Sequence, residues 1–227
     1  MKILALDTAL GACGVAIFDA GRESVLASET VLMERGHAEI LLPQIQKVMA
    51  MAHISFEQLS RIAVTVGPGS YTGIRVGIAA ARAIGLATQK PVVGVSTLSA
   101  LIAPLMAFGG KGLSAAAIDA RHNHIYFQAV AHGGKQLAPP CYLTIQEARR
   151  VIGAGPVLLS GSGAALLAYD CVTHGIEARL SDEPNVPDIM WVGRLGSVAD
   201  PVYALPKPLY LKAPDTSPQT RTLIPRQ

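Results

Sequence analysis

The sequence predicts an α/β fold, and three observations support this prediction. Residues 61–66 form a short β-branched run that ends at Gly-Pro, which is typical of a buried strand that leads into a helix. Residues 24–32 alternate apolar with small polar side chains, as a half-exposed strand does. Half of the 227 residues are hydrophobic and only 15% are charged, so the chain can bury a sizeable core.

The first half is predicted to open with three antiparallel strands and then to alternate helices with strands. Small-residue turns separate the opening strands, and Pro43 is expected in the first turn of a helix or at a kink in it. The predicted elements are strands at 2–7, 13–18 and 24–32, a helix at 37–52, a strand at 61–66, a helix from Gly73, a strand at 91–95 and a helix that ends near Phe108.

The second half is predicted to repeat the first in reduced form after a Gly-rich linker at 109–112. Thr144 and Glu147 have the spacing of a capping box, which predicts a helix start. The predicted elements are strands at 113–120, 124–132 and 156–160, a helix after Thr144, a helix after Gly161-Ser162-Gly163 and a helix near 187–198. We expect domains at 1–108 and 113–213, and a loosely held tail at 214–227.

The order βββαβαβα is the topology of the ribonuclease-H-like half of actin-like and sugar-kinase-like proteins. The sequence therefore predicts a two-domain actin-like ATPase fold with a reduced second domain.

The turn at 67–73 carries the most distinctive residues of the chain, because it combines three glycines, a proline and three hydroxyl groups. Glycines permit close backbone approach, and the free N–H groups of a first helical turn attract anions. Either the loop binds an anion or its glycines only make a tight turn. The candidate anion-binding residues are Gly67, Gly69, Ser70, Thr72 and Arg75.

Two sets of residues are candidates for a partner interface. Gly73, Gly77, Ala81 and Gly85 recur every four positions and share one helical face, which either a partner helix or an element of the same domain can approach closely. On the 37–52 helix, the side opposite the predicted core carries Ile40, Gln44, Lys47 and Met51. The apolar Ile40 and Met51 are either ordinary surface residues or part of an interface.

Composition excludes several classes of protein. The formal net charge is +3 and the 19 Lys and Arg residues are scattered, which argues against a stand-alone nucleic-acid-binding protein. Three widely spaced cysteines form neither a disulfide framework nor a Cys-x-x-Cys metal clip, and they fit a reducing cytoplasm. No membrane span is expected, since Arg75 and Arg82 interrupt the most apolar helix.

Six segments together resemble the bacterial TsaB family, also called YeaZ. They follow the family's order over most of the chain: Asp7–Ala9, Gly36–Glu39, Gly67–Arg75, Gly94–Leu98, Ile118–Arg121 and Pro208–Leu211. The resemblance implies an actin-like fold and a non-catalytic subunit of the machinery that adds a threonylcarbamoyl group to the adenosine next to the tRNA anticodon. It also implies pairing with the catalytic paralogue TsaD and with the ATPase TsaE.

The first helix departs from the pattern that the resemblance implies for TsaD. TsaD holds its metal through two histidines four residues apart on this helix, whereas here His37 is followed at that spacing by Leu41. We therefore expect no metal site. His122 and His124 are two residues apart, and they fit a solvated hairpin end better than a metal site.

Nucleotide binding between the two domains is the main alternative activity. The actin-like fold holds Mg-ATP with an acidic residue after strand one and with glycine-rich hairpins. Because the second domain is short and carries few charges, we expect weak or vestigial ATP or ADP binding without turnover. Two of the candidates, Asp7 and Asp119, equally fit as caps of local turns. The candidate residues are Asp7, Gly11, Gly14, Asp119, Gly161 and Gly163.

Arg75 lies in the first turn of its helix, where a cation is unfavourably placed with respect to the helix dipole. We expect a compensating partner, which is an acidic side chain of a neighbouring chain, an anion in the interdomain cleft, or Asp7 of the same chain.

These observations predict a cytoplasmic scaffold subunit that contributes no catalytic residue. It is expected to contact TsaD through the first two long helices and to meet tRNA only through the complex, and a homodimer in isolation is left open. The alternative is an independent actin-like or sugar-kinase-like ATPase. A peptidase with Ser70 as nucleophile is disfavoured, because Pro68 occupies the first glycine position of a nucleophile elbow.

Overall fold

The computed structural model of the protein describes residues 1–108 and 112–212. The first half contains β1 (Lys2–Asp7), β2 (Ala12–Asp19), β3 (Ser24–Leu32), α1 (His37–Met51), β4 (Arg61–Gly67), α2 (Tyr71–Thr88), β5 (Val92–Ser96) and α3 (Thr97–Phe108). The second half contains β6 (Leu113–Asp119), β7 (His124–Ala131), β8 (Gln136–Thr144), α4 (Ile145–Ile152), β9 (Val157–Ser160), α5 (Ala164–Thr173), β10 (Ala178–Leu180) and α6 (Ile189–Val198).

The first sheet has the order β3-β2-β1-β4-β5, with β1, β2 and β3 antiparallel and with β4 parallel to both β1 and β5. Both faces of β1 are buried. Leu4 and Leu6 pack against α1 and α2, whereas Ile3 and Ala5 pack against α6. Successive side chains of a strand point to opposite faces, so the unbroken apolar run of β1 fits a strand that is covered on both sides.

The helix α6 crosses back to the first sheet, although its residues follow the second sheet in the sequence. Two glycines bring its backbone close to the strands. A Cβ at Gly193 would lie 2.7 Å from Cβ of Phe18, and a Cβ at Gly196 would overlap Cβ of Ala63. The predicted division into domains at 1–108 and 113–213 remains a prediction, but α6 itself packs with the first half.

The second sheet has the order β10-β9-β6-β7-β8. The helices α4 and α5 cover the face that carries Phe127 and Leu159, and α3 covers the face that carries Ala116 and Ile118. The predicted capping box at the start of α4 is confirmed, because Thr144 Oγ1 accepts a hydrogen bond from the Glu147 backbone N–H at 3.2 Å and Glu147 accepts one from the Thr144 backbone N–H at 2.8 Å.

The predicted order of strands and helices in the first half is confirmed, and in the second half two strands were missed. β8 contains Pro139 and Pro140, which count against a strand in the sequence but are tolerated here because β8 is an edge strand. β10 has only three residues. The predicted tail at 214–227 and residues 109–111 of the predicted linker lie outside the described residues.

The closing segment, residues 200–212, runs along the open edge of the first sheet and reaches the second. The Gly94 N–H donates a hydrogen bond to the Ala204 carbonyl at 2.8 Å, and the Leu209 N–H donates one to the Val66 carbonyl at 2.7 Å. Leu211 packs between α3 and the second sheet. The segment therefore contacts both sheets. Across the described ranges, none of the helices has the length and hydrophobicity that a membrane-spanning helix needs.

We expect Gly196→Ala to lower the free energy of unfolding by about 1–3 kcal/mol, because the added methyl would collide with Ala63 where α6 meets the sheet. This loss should outweigh the roughly 1 kcal/mol that alanine gains over glycine in a helix. Urea unfolding measures the change. Gly11→Ala is the matched control, since a Cβ at Gly11 would meet nothing within 4 Å; equal stability of the two variants would contradict close packing of α6.

Candidate functional site

A cleft of about 440 Å³ lies between the two sheets. It brings together Gly11, Gly69 and Ser70 of the first half with Asp119 and Ser162 of the second. Sequence reasoning identified all of these positions except Ser162, which belongs to the predicted Gly161-Ser162-Gly163 turn. The cleft is also lined by Glu34, Arg121 and Tyr126, none of which was a candidate site residue in the sequence analysis, although Arg121 belongs to the Ile118–Arg121 segment.

Asp7 and Asp119 occupy equivalent places in the two halves but differ in exposure. In each, the Oδ1 atom accepts a hydrogen bond from the backbone N–H two residues later, at 3.1 Å from Ala9 and at 2.8 Å from Arg121. Both therefore cap local turns, which was the alternative to nucleotide binding. Asp119 is exposed in the cleft, whereas Asp7 is buried and is not part of the cleft lining.

Burial raises the pKa of Asp7 to about 6. Three interactions oppose this shift: a 2.6 Å hydrogen bond from the Thr65 hydroxyl, the bond from the Ala9 N–H, and the nearby His37. Loss of hydration outweighs them because the carboxyl group is 1% exposed. Asp7 is therefore enclosed at the end of β1, and the structure does not present it to a ligand.

Three of the predicted cleft glycines serve packing and do not line the cleft. A Cβ at Gly14 would meet Ile189 at 3.4 Å, one at Gly161 would lie 2.5 Å from the Ala117 carbonyl oxygen, and one at Gly163 would lie 3.0 Å from the Asp119 nitrogen. The prediction that Gly14, Gly161 and Gly163 face a ligand is thus corrected. Gly161 and Gly163 are small because the backbone of β6 approaches them closely, whereas a Cβ at Gly14 would make only ordinary contacts.

Charges in the cleft do not favour a polyphosphate. Glu34 and Asp119 contribute two carboxylates, against the single guanidinium of Arg121. Phosphate-binding sites normally present an excess of N–H donors or cations. The lining is therefore better suited to a weakly bound polar ligand than to ATP turnover.

The start of α2 uses its backbone N–H groups within the chain. The Ser70 N–H donates to the Ala9 carbonyl at 2.8 Å, the Gly73 N–H to Ser70 Oγ at 3.2 Å and the Ile74 N–H to the Ser70 carbonyl at 3.0 Å. These bonds occupy three of the N–H groups that the anion hypothesis requires, but the N–H groups of Tyr71 and Thr72, the first two residues of α2, are not among them. Of the candidate anion-binding residues, Gly69 packs on Ala9 and Gly67 has a φ of 106° and packs on Ile74, as a tight turn requires.

The small residues that recur along one face of α2 (Gly73, Gly77, Ala81 and Gly85) face the chain's own core. The prediction that a partner helix approaches this face is corrected. A Cβ at Gly73 would overlap the Thr8 carbonyl oxygen, one at Gly77 would lie 2.5 Å from Thr8 Oγ1, and one at Gly85 would overlap Val92. Ala81 is fully buried. The spacing correctly predicted a close approach, but β1, β5 and their adjoining turns make it.

Arg75 is held by aromatic residues and does not pair with Asp7, so that alternative is wrong. Its guanidinium donates a 2.6 Å hydrogen bond to the Tyr71 hydroxyl and lies 5.1 Å from the centre of the Tyr71 ring. The Tyr71 ring in turn stacks on Tyr210 of the closing segment, with 5.5 Å between centroids. Arg75 remains exposed to solvent.

A second cavity, of about 400 Å³, lies where the N-termini of α1 and α2 converge. Ser70 and Thr72 line it together with His37 and Glu39, and Arg75 does not. The His37 ring is buried, and its Nε2 lies 3.2 Å from the Leu10 carbonyl oxygen. One turn later on the same helix, Leu41 is buried in the core. Within residues 1–108 and 112–212, no three His, Cys, Asp or Glu side chains converge.

The outer surface of α1 differs from the prediction at one position. Gln44 is buried, and its amide nitrogen donates to the Cys13 carbonyl at 3.1 Å and to the Glu29 carbonyl at 2.9 Å. It belongs to the inner side of the helix, where it ties α1 to β2 and β3. Ile40 is partly buried against the first core, and Met51 is 50% exposed.

One exposed face combines cations with apolar groups, and we name it the α1–α2 face. The two helices pack side by side on the first sheet. Leu42 of α1 and Leu86 of α2 are exposed there, at 55% and 84%, whereas Met51 follows Leu42 by nine positions and therefore lies on the opposite side of α1. Arg75 and Arg82 of α2 are exposed as well. The sequence analysis identified Arg75 as a candidate but did not single out Leu42 or Leu86 as interface residues.

Known proteins match this chain over part of its length in some cases and over nearly all of it in others. Residues 16–165 match the family model described as TsaD: tRNA N6-adenosine threonylcarbamoyltransferase. The tRNA threonylcarbamoyladenosine biosynthesis protein TsaB of Escherichia coli is 35% identical over 127 residues, which is 56% of this chain and 54% of that protein. The chain therefore spans about half the length of the curated TsaB relatives that it matches. An uncharacterized protein of Mycobacterium tuberculosis is 30% identical over 221 residues, 95% of this chain and 94% of that protein.

Solved structures extend the similarity to the fold. YeaZ from Pseudomonas aeruginosa is 24% identical, with a TM-score of 0.73 over 92% of this chain and 100% of that chain. The ROK hexokinase from Thermus thermophilus is 16% identical, with a TM-score of 0.52 over 87% of this chain and 99% of that chain. The predicted α/β actin-like fold is confirmed.

Asp7→Asn is expected to remove a pH dependence of stability. The pKa of Asp7 rises from 3.8 to about 6 on folding, so its contribution to stability is fully present below pH 3.8 and is lost as the pH rises through 6. Relative to the wild type, the variant should gain about 3 kcal/mol in free energy of unfolding between pH 4 and pH 8. Urea unfolding of both proteins over this range measures the difference; a constant difference would show that Asp7 does not titrate there.

Proposed function

The chain belongs to the TsaB (YeaZ) family, and from this premise we propose that it is a non-catalytic subunit of the system that forms threonylcarbamoyladenosine in tRNA. The TsaB sequences and the YeaZ structures support the premise, and the model matched over 16–165, which is described as TsaD, is that of the proposed paralogue. The proposed substrate of the system is the adenosine next to the tRNA anticodon. We place its activity in the cytoplasm, where tRNA is modified.

The burial of Leu41 carries the non-catalytic assignment. The family resemblance implies that TsaD holds a metal through two histidines four residues apart on the helix that corresponds to α1. In this chain a histidine, His37, stands at the first of the two positions. Leu41 stands at the second, and it is buried in the core with 1% of its surface exposed. One imidazole does not make a chelating pair. The catalytic centre of the complex is therefore assigned to TsaD.

The proposed binding surface for TsaD is the α1–α2 face. Leu42 and Leu86 provide exposed apolar area of the kind that a partner buries, and Arg75 and Arg82 provide charges suited to acidic side chains. Because α1 and α2 are fixed on the first sheet, this surface requires no rearrangement before binding. The other two apolar candidates, Ile40 and Met51, lie on the side of α1 that carries Gln44 and Lys47 and faces β3, so they are not part of this face. The same face would serve a homodimer when TsaD is absent.

The remaining contacts of the complex are also proposals. TsaE is expected to join the TsaD-bound form, and tRNA is expected to be contacted mainly through TsaD, since the cationic residues of this chain are scattered.

Weak nucleotide binding in the cleft is a second candidate property. It is favoured by the size of the cleft and by the position of Asp119, Ser162 and Gly11 around it. The excess of carboxylates over guanidinium groups there argues against tight binding of ATP or ADP and against turnover.

Reconstitution tests the proposed function directly. We expect the purified chain to form no threonylcarbamoyladenosine, to hydrolyse no ATP and to carry no stoichiometric iron or zinc. Addition of the chain to TsaD and TsaE of the same organism, with tRNA and the remaining substrates, should raise product formation. Mass spectrometry of digested tRNA measures the product. Modification by the chain alone, or ATP turnover by it alone, would reverse the assignment.

Leu86→Asp should weaken binding to TsaD by about tenfold or more, because it places a carboxylate in an apolar contact. Titration with calorimetric detection measures the affinity. Leu166→Asp on α5 is the matched control, since Leu166 is 49% exposed and lies outside the α1–α2 face. Equal affinities of the two variants would remove this face from the complex.

Arg75→Ala is expected to leave the free energy of unfolding within about 0.5 kcal/mol of the wild type, since the side chain is exposed and its hydroxyl partner is a surface tyrosine. Product formation by the reconstituted complex should fall. Unfolding and product formation are measured on the same preparation. Lower stability with full activity of the folded fraction would limit Arg75 to a structural role.

A further inference from the structure

A third cavity, of about 480 Å³, lies between α3, β7 and α6. We name it the α3–α6 cavity. It shares no lining residue with the cleft or with the cavity at the helix N-termini. Its walls are largely apolar and include Ile102 and Met106 of α3, Val130 of β7 and Trp191 of α6. An apolar cavity with a few polar groups at defined positions is the usual form of a small-molecule site.

Two polar side chains meet at this cavity. Gln128 is 8% exposed, and its Oε1 accepts a hydrogen bond from the Ser99 hydroxyl at 3.2 Å. Among the hydrogen bonds of the described residues, its amide N–H groups have no acceptor. Arg194 also lines the cavity, with its guanidinium 5.1 Å from the centre of the Trp191 ring system. Amide N–H groups and a guanidinium are both donors, so the cavity is complementary to an acceptor group of a ligand.

Outside the cavity, Arg194 forms only a weak ion pair, with Glu23. Glu23 lies 3.3 Å away, but its side chain is 70% exposed and that of Arg194 is 45% exposed. Exposed ion pairs of this kind contribute little to stability. The guanidinium is therefore available to a carboxylate in the cavity, which it can bind through two parallel hydrogen bonds.

We propose that the α3–α6 cavity binds a small aromatic carboxylate. The Trp191 ring and the side chains of Ile102 and Met106 would contact the aromatic ring of the ligand, and Arg194 together with the Gln128 amide would donate to its carboxylate. A flat ring is favoured because it can stack on, or contact the edge of, the indole. This site does not depend on the proposed role in tRNA modification.

Trp191 provides a specific readout because it is the only tryptophan of the chain. Naphthalene-2-carboxylate is the probe, and the indole N–H signal of Trp191 in a ¹H–¹⁵N spectrum is followed during titration. We expect a saturable shift of this signal at one equivalent. The neutral naphthalene-2-carboxamide should bind about tenfold more weakly, because it lacks the charge that Arg194 recognises.

Three variants complete the test. Arg194→Gln should weaken binding of the carboxylate about tenfold and leave binding of the carboxamide unchanged. Ala103→Leu, which adds volume to the cavity wall, should abolish the shift for both compounds. Arg82→Gln removes an exposed arginine of α2 outside the cavity and should match the wild type. Urea unfolding verifies that each variant is folded. No saturable shift, or equal affinity of the wild type and Arg194→Gln for the carboxylate, would overturn the proposal.

Discussion

The structure depends most on the contact between the turn after β1 and the start of α2. Gly69 and Gly73 allow the loop to lie directly against the Ala9 and Thr8 carbonyl groups, and any larger side chain at either position would overlap them. The Thr8 hydroxyl then donates to the Gly73 carbonyl at 2.7 Å, and the Ser70 N–H donates to the Ala9 carbonyl at 2.8 Å. Because these bonds are buried or partly buried, they fix α2 on the sheet and so fix which of its sides faces outward.

The two halves use the same device at the end of their first strands, with different consequences. In each, an aspartate caps the following turn, but Asp7 is enclosed by Thr65 and the first core whereas Asp119 faces the cleft. The cleft thus receives one of the two carboxylates that an actin-like arrangement offers. The burial that raises the pKa of Asp7 also removes it from any ligand, so of these two aspartates only Asp119 is available to a ligand in the cleft.

Local patterns predicted the fold well because strands, caps and turns are determined by neighbouring residues. The capping box at Thr144 and the strands of the first sheet are of this kind. The role of the small residues on α2, from Gly73 to Gly85, was ambiguous. Their spacing shows that another element approaches the helix closely, but it does not show which element this is. Gln44 was misplaced for a related reason: a glutamine is normally exposed, whereas here its amide nitrogen bonds to carbonyls of β2 and β3 and its Oε1 is buried without a partner among the described residues. Tyr210 lies far from Tyr71 in the sequence, so their stacking left no local signal.

The α1–α2 face is connected to the rest of the molecule through the closing segment. Arg75 on this face contacts Tyr71, Tyr71 stacks on Tyr210, and two residues later Lys212 lies 5.8 Å from the centre of the Tyr142 ring on β8. Leu209, in the same segment, bonds to the end of β4 beside the loop that starts α2. Aromatic and cation–π contacts of this kind are individually modest, but together they fix the path of the segment from the first sheet to the second. A partner that binds Arg75 therefore contacts a residue whose position is set by both halves of the chain.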